Sequence, residues 1–155
     1  MNMNLDLNKL QLTLDGETDI VIRRDFTHPP TLVWRALTEP ALIRKWMTAQ
    51  DDLKRCEMDP RPGGSFLYEW AGFSFSGPIL AVDAPHHMTH VEHFSGDPSY
   101  EVEITTDLVA RGTGTRMTNV MRYSDSAARA VAIKNGFTDG MDEVYSRLEG
   151  YLTAE

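Results

Sequence analysis

The feature that most constrains this chain is a change of period. Across residues 65–123 apolar and polar residues alternate one by one, and from Ser124 onward the apolar residues return every three or four positions. Alternation puts successive side chains on opposite faces of a strand, whereas the longer spacing lines them along one stripe of a helix. Tyr100, Val102, Ile104, Thr106 and Leu108, set against Glu101, Glu103, Thr105 and Asp107, alternate most clearly. Phe66, Tyr68 and Trp70 alternate with Ser65, Leu67 and Glu69, while Met117, Asn119, Met121 and Tyr123 share one side of their segment. Turn residues separate these runs at Ala71-Gly72, Ala84-Pro85, Gly96-Asp97-Pro98 and Arg111-Gly112-Thr113-Gly114. Connections this short join antiparallel neighbours, so the strands form a meander. Phe137, Met141, Val144, Tyr145, Leu148 and Leu152 then form the helical stripe against which the sheet can bury its apolar face.

The first third completes the frame. Residues 18–27 read as a strand with Ile20, Ile22, Arg24 and Phe26 on one side and Val21 and Arg23 on the other. His28-Pro29-Pro30 stops it, and a short helix follows with Val33, Trp34 and Leu37 at helical spacing. Thr38-Glu39-Pro40 closes that helix and starts a second one carrying Leu42, Ile43 and Trp46, which predicts a V-shaped pair. Asp59-Pro60-Arg61-Pro62-Gly63-Gly64 is a strong turn signal. Residues 1–17 read as a polar leader in which Leu10, Leu12 and Leu14 alternate as in an edge strand before the Asp15-Gly16 turn. After Tyr123, one long helix capped by Ser124 or Asp125 is expected. Gly136 and Gly140 weaken it by about 1 kcal/mol each relative to alanine. Small residues there allow close approach to the sheet or leave room for a ligand. The expected architecture is α+β: a curved antiparallel sheet of about six to seven strands, two short helices and a long C-terminal helix. A single domain is expected over residues 18–153.

Composition narrows the function classes. At 155 residues the chain has the size of one domain with a sizeable core. Cys56 is its one cysteine, so no internal disulfide forms, which suits a reducing compartment. No run approaches the roughly 20 apolar residues of a membrane span. The start lacks the basic and apolar segments of a signal peptide, and a cytoplasmic location is expected. A net charge of -8 repels a phosphate backbone, and Lys and Arg form nothing larger than adjacent pairs such as Arg23-Arg24 and Arg44-Lys45. Neither nucleic acid nor membrane insertion is expected, and the chain reads as a monomer or weak homodimer.

Short motifs occur in a telling order. Phe26-Thr27-His28-Pro29-Pro30 leads into Val33-Trp34-Arg35-Ala36-Leu37-Thr38, then Glu39-Pro40-Ala41-Leu42-Ile43-Arg44-Lys45-Trp46. The Asp59 to Phe66 turn follows, then Gly77 with Val82-Asp83-Ala84-Pro85, Gly114-Thr115-Arg116-Met117-Thr118 and the closing helix from Phe137 to Leu152. In this order and over residues 18–153, the chain resembles the START-like or SRPBCC superfamily. Within it, the chain is most similar to stand-alone bacterial-type members of the heat-shock protein 90 ATPase activator homologue family. The resemblance implies the helix-grip fold, and relatives across the superfamily bind lipids, hormones or polyketides. The co-chaperone's activating surface lies largely in a separate N-terminal domain for which this chain has no room, so that activity is not carried over.

A sheet curled around a helix leaves a gap wherever side chains fail to fill it. Trp46, Phe66, Tyr68, Trp70, Phe75, Met117, Met121, Tyr123, Phe137, Met141 and Tyr145 are the candidate lining, with Asn119 and Glu92 as polar members. Each would serve equally well in a filled core, methionine above all because it adapts to irregular space. The resemblance favours the cavity, and the expected ligand is a hydrophobic small molecule. His86 and His90 share one strand face and His87 and His93 the other, so no three histidines converge. Neither a Cys-x-x-Cys nor a His-Glu-x-x-His motif occurs, and no metal or cofactor is expected. There is no Gly-x-Ser-x-Gly elbow, and Gly63-Gly64 and Gly112-x-Gly114 are turns that lead into no phosphate-binding helix. His90 and Glu92 share a strand face as a base and carboxylate, or as ordinary surface polarity. Three functions follow. A binding module needs a cavity. An enzyme of the cyclase, dehydratase or hydrolase type needs an inward ionisable group, for which Glu92, His90, Asp107, Tyr68 and Tyr145 are candidates. A protein-interaction module needs an exposed apolar patch and no internal cavity. No residue is assigned as catalytic.

Overall fold

The computed structural model describes residues 9–50 and 52–154. Two strands, β1 (Gln11–Asp15) and β2 (Asp19–Phe26), precede two short helices, α1 (Pro30–Thr38) and α2 (Pro40–Trp46). A six-strand meander follows: β3 (Arg55–Met58), β4 (Ser65–Trp70), β5 (Phe73–Asp83), β6 (His87–Phe94), β7 (Asp97–Arg111) and β8 (Gly114–Tyr123). Two helices, α3 (Ser126–Lys134) and α4 (Met141–Ala154), close the described chain. Both front helices begin at a proline, whose fixed φ suits a first helical turn and whose missing N–H is not needed there.

All eight strands form one antiparallel sheet in the order β1-β2-β8-β7-β6-β5-β4-β3. The meander and the β1–β2 hairpin account for every neighbour except β2 and β8. That pair joins the two ends of the fold from Asp19↔Arg122 to Phe26↔Thr115. The sheet is irregular where it bends, with register shifts between Ile79 and Ala81 and between His93 and Phe94. Extra residues at such points bend a strand. Gly77 stands at a close approach of β5 to β6, where any Cβ would run into the Val91 carbonyl oxygen.

Two features depart from the sequence reading. The sheet has eight strands rather than six or seven, because Leu12 and Leu14 do form an edge strand with β2 and because Arg55–Met58 adds β3. The expected long C-terminal helix is two helices. Gly136 and Gly140 take φ of 80° and 79°, a left-handed conformation open to glycine, and the six-residue break between α3 and α4 carries Phe137 out of any helical stripe. Asp125, not Ser124, caps α3 by accepting the Ala128 backbone N–H at 2.7 Å.

The core lies on the concave face in two clusters. One gathers Phe26, Val33, Trp46, Phe66, Ile79, Leu108, Met117 and Leu148 beneath α1, α2 and α4. The other gathers Ile20, Ile22, Tyr100, Val102, Met121, Tyr123 and Ala132 beneath α3. Arg24 is buried with its strand mates. It donates to the Ser146 hydroxyl at 3.4 Å, which ties β2 to α4, and it lies 5.2 Å from the ring centre of its strand mate Phe26, a cation–π contact within β2. No helix of the described residues is long and apolar enough to cross a membrane.

Candidate functional site

Where the two clusters fail to meet, a cavity of about 360 Å³ lies between the concave face, α4 and the α3–α4 connection. Small-molecule sites span roughly 300–1,000 Å³. Strand register builds its floor in rows. Asn119 stands opposite Thr106 and Thr106 opposite Met88; in the next row Met121 faces Ile104 and Ile104 faces His90. These residues point inward because they occupy the same phase of the alternation. Tyr145 of α4 forms part of the roof, with its ring 6.2 Å from both Trp46, which it stacks on, and Phe26, which meets it edge-on.

Eleven of the thirteen residues named from sequence as candidate lining stand on this wall: Trp46, Tyr68, Trp70, Phe75, Glu92, Met117, Asn119, Met121, Phe137, Met141 and Tyr145. Two lie off it. Phe66 is buried behind Tyr68 and His90, with ring centres 5.0 Å from each. Tyr123 is buried behind Tyr100 at 6.4 Å. Asp107, an expected inward acid, is on the opposite face of the sheet, where its Oδ1 accepts from His87 Nδ1 at 2.8 Å. Its neighbours Thr106 and Leu108 are the buried ones, as the alternation requires. His86 is not in a strand; it lies in the β5–β6 turn and bonds the Leu108 carbonyl through Nδ1 at 3.0 Å.

Other wall residues were not singled out. Tyr100, Ile104 and Thr106 belong to the clearest alternating strand, so their phase already carried the signal. Leu37 belonged to a recognised helical stripe. Met47, just past α2, Met58 on the unforeseen β3, and Asp139 in the break between α3 and α4 had no periodic signal at all.

The polar groups inside are few and mostly paired. Tyr100 Oη donates to Glu92 Oε2 at 2.9 Å. Burial pushes the Glu92 carboxyl up to about 7, and the Tyr100 bond, which favours the ionised form, opposes that shift. No described residue donates to Glu92 Oε1. Burial pulls His90 down to about 4, so its ring is neutral at physiological pH, and its Nδ1 is sealed in protein without a partner. Thr106 Oγ1 donates to Asn119 Oδ1 at 2.8 Å, and Asn119 Nδ2 donates to Tyr145 Oη at 3.1 Å. Burial also pushes the phenols of Tyr68, Tyr100 and Tyr145 upward, leaving them as protonated donors. Wall residues include neither lysine nor arginine. Among the described residues no three metal-ligating side chains converge. The arrangement can enclose an apolar body, accept one further hydrogen bond at Glu92, and exchange a proton there near neutral pH.

Comparison with known proteins places this geometry. The family model for activator of Hsp90 ATPase homolog 1-like proteins matches residues 27–153. A Rhodobacter sphaeroides protein of known structure is 26% identical with a TM-score of 0.85, covering 94% of this chain and 99% of that one. A Nitrosomonas europaea protein is 27% identical with a TM-score of 0.76, covering 92% and 98%. DynU16, a protein of the dynemicin biosynthetic locus, shares the fold at 18% identity and a TM-score of 0.68, over 89% of this chain and 48% of its own. Comparison with curated protein sequences gave no significant match.

Proposed function

The chain belongs to the activator of Hsp90 ATPase homolog 1-like family, and from that premise we propose that it binds a hydrophobic small molecule in the cavity between its sheet and α4. One observation carries the reading: the two core clusters leave a gap of about 360 Å³ instead of closing on each other. Emptying an apolar wall of partners costs packing energy, and a ligand restores it. The eleven wall residues named from sequence are the proposed contacts. Methionines at Met117, Met121 and Met141 give the wall the adaptability that suits an irregular guest. A protein of the same fold belongs to a biosynthetic locus, a setting in keeping with small-molecule chemistry.

Thermal-shift screening against lipids, flavonoids and polyketide-like aromatics tests this, together with native mass spectrometry of the purified protein. A rise in melting temperature with ligand concentration is expected. No shift with any apolar compound and no co-purified mass would sink the proposal.

A second reading, an enzyme of the cyclase or dehydratase type, gains from one observation: Glu92 and His90 both face the cavity. A carboxyl that gives and takes a proton near pH 7 meets the first requirement of general acid–base work. Turnover of an enolisable substrate that Glu92→Gln abolishes without loss of binding would favour it. The interaction-module reading required a filled interior, and the cavity counts against it.

A further inference from the structure

Resting on the cavity reading above, we propose that the preferred ligand is a lipophilic amine, held as its ammonium form with the nitrogen at Glu92 and the apolar body among the surrounding aromatic rings.

The charge inventory of the wall supports this choice. Glu92 is partly buried on the wall, Asp139 is exposed, and no lysine or arginine of the wall offsets them. A carboxylate ligand would enter a site of its own sign with no basic partner, and a buried unpaired charge is strongly disfavoured. A purely apolar ligand would seal Glu92 Oε1 away from water while giving it no donor, the expensive way to bury a polar atom. An ammonium group supplies that donor and opposite charge together, and such charge-assisted bonds are among the stronger ones. The rings of Trp46, Tyr68, Trp70, Phe75 and Tyr145 line the same space. Aromatic faces attract a cation, more so when it is desolvated. Tyr100 already donates to Oε2, which steadies the carboxylate and leaves Oε1 for the guest.

The titratable groups around Glu92 come from its own strand and from four other elements. They are His90 on its own strand, Tyr68 on β4, Tyr100 on β7 and Tyr145 on α4, with Tyr123 of β8 behind Tyr100 and the exposed Asp139 on the same wall. Burial moves the four phenols upward and His90 down to about 4, so Glu92 is the member of this ring that changes charge near neutrality. Amine binding requires the carboxylate and should weaken as pH falls below about 7.

Three probes with one aromatic body decide the matter: naphthylmethylamine, naphthylmethanol and naphthoate, titrated by calorimetry against the whole chain. At about pH 8 the amine is expected to bind at least about tenfold tighter than the alcohol, and naphthoate weakest. At about pH 5.5 the preference for amine over alcohol should shrink toward equality in the unmodified protein, a readout that needs no variant. Glu92→Gln keeps the side chain's shape and should abolish the preference while alcohol binding persists. Equal binding of amine and alcohol at high pH, tightest binding of naphthoate, or an amine preference that survives Glu92→Gln each overturns the proposal and leaves the cavity reading standing. If none of the three probes binds, the amine proposal falls, and the cavity reading is decided by the wider thermal-shift screen.

Discussion

Replacing Glu92 by glutamine should change how stability depends on pH, and the sign follows from burial. The folded carboxyl titrates near about 7, against an ordinary 4.5 in the unfolded chain. A raised value means that the fold holds its proton more tightly than the unfolded chain does. The contribution is therefore fully present below pH 4.5 and is lost as pH rises through about 7. Across that window the loss amounts to about 3 kcal/mol. His90 works the other way. Its folded value near about 4 lies below an ordinary 6.5, so its contribution is present above pH 6.5 and is lost as pH falls through about 4. The gap is of the same size, and between pH 4.5 and 6.5 the two slopes nearly cancel in the unmodified protein. Glu92→Gln removes one of them. Urea unfolding at a series of pH values should then find the variant equal to the parent near pH 4.5 and about 3 kcal/mol more stable above about pH 7. Between them its stability should climb with the His90 slope. A difference between variant and parent that stays constant across the series would refute the reasoning, because Glu92 would then be titrating as a solvated carboxyl.

Further expectations concern the frame of the site. Leu148→Ala deletes a side chain with 0% exposure on the inward face of α4 and should cost about 2–5 kcal/mol in denaturant unfolding. Gly77→Ala forces a Cβ onto the Val91 carbonyl oxygen at the tight β5–β6 crossing, and it should reduce soluble yield and cooperativity, read by gel filtration and by the breadth of the unfolding transition. Asn119→Ala leaves the buried Thr106 hydroxyl without its acceptor and Tyr145 without its donor, a loss of about 1–3 kcal/mol in the urea midpoint at neutral pH.

Much of the architecture was legible before any coordinates. Alternation over residues 65–123 declared the meander, and His28-Pro29-Pro30 and Thr38-Glu39-Pro40 declared the two front helices. These signals are local: a strand shows its faces within a few residues and a proline acts on its own turn. β3 escaped because Arg55–Met58 is four residues long, too short for alternation to stand out. The break between α3 and α4 was half legible. Gly136 and Gly140 were marked as weak points, yet Phe137 and Met141 also fitted a continuous helical spacing, and only the turn geometry chose between them.

The sequence by itself determined which side chains share a face, and so it named most of the residues that line the gap. It did not determine that a gap exists. Trp46, Met117 and Tyr145 have the same polarity and phase in a filled core as in a cavity wall. Whether they meet depends on the bend of the sheet at Ile79 and Ala81, the pairing of β2 with β8, and the depth at which α4 settles. The state of Glu92 belongs to the tertiary structure for the same reason. A carboxyl's proton affinity follows from the water excluded around it and from the phenol of Tyr100 eight residues away, and neither is a property of its neighbours in the chain.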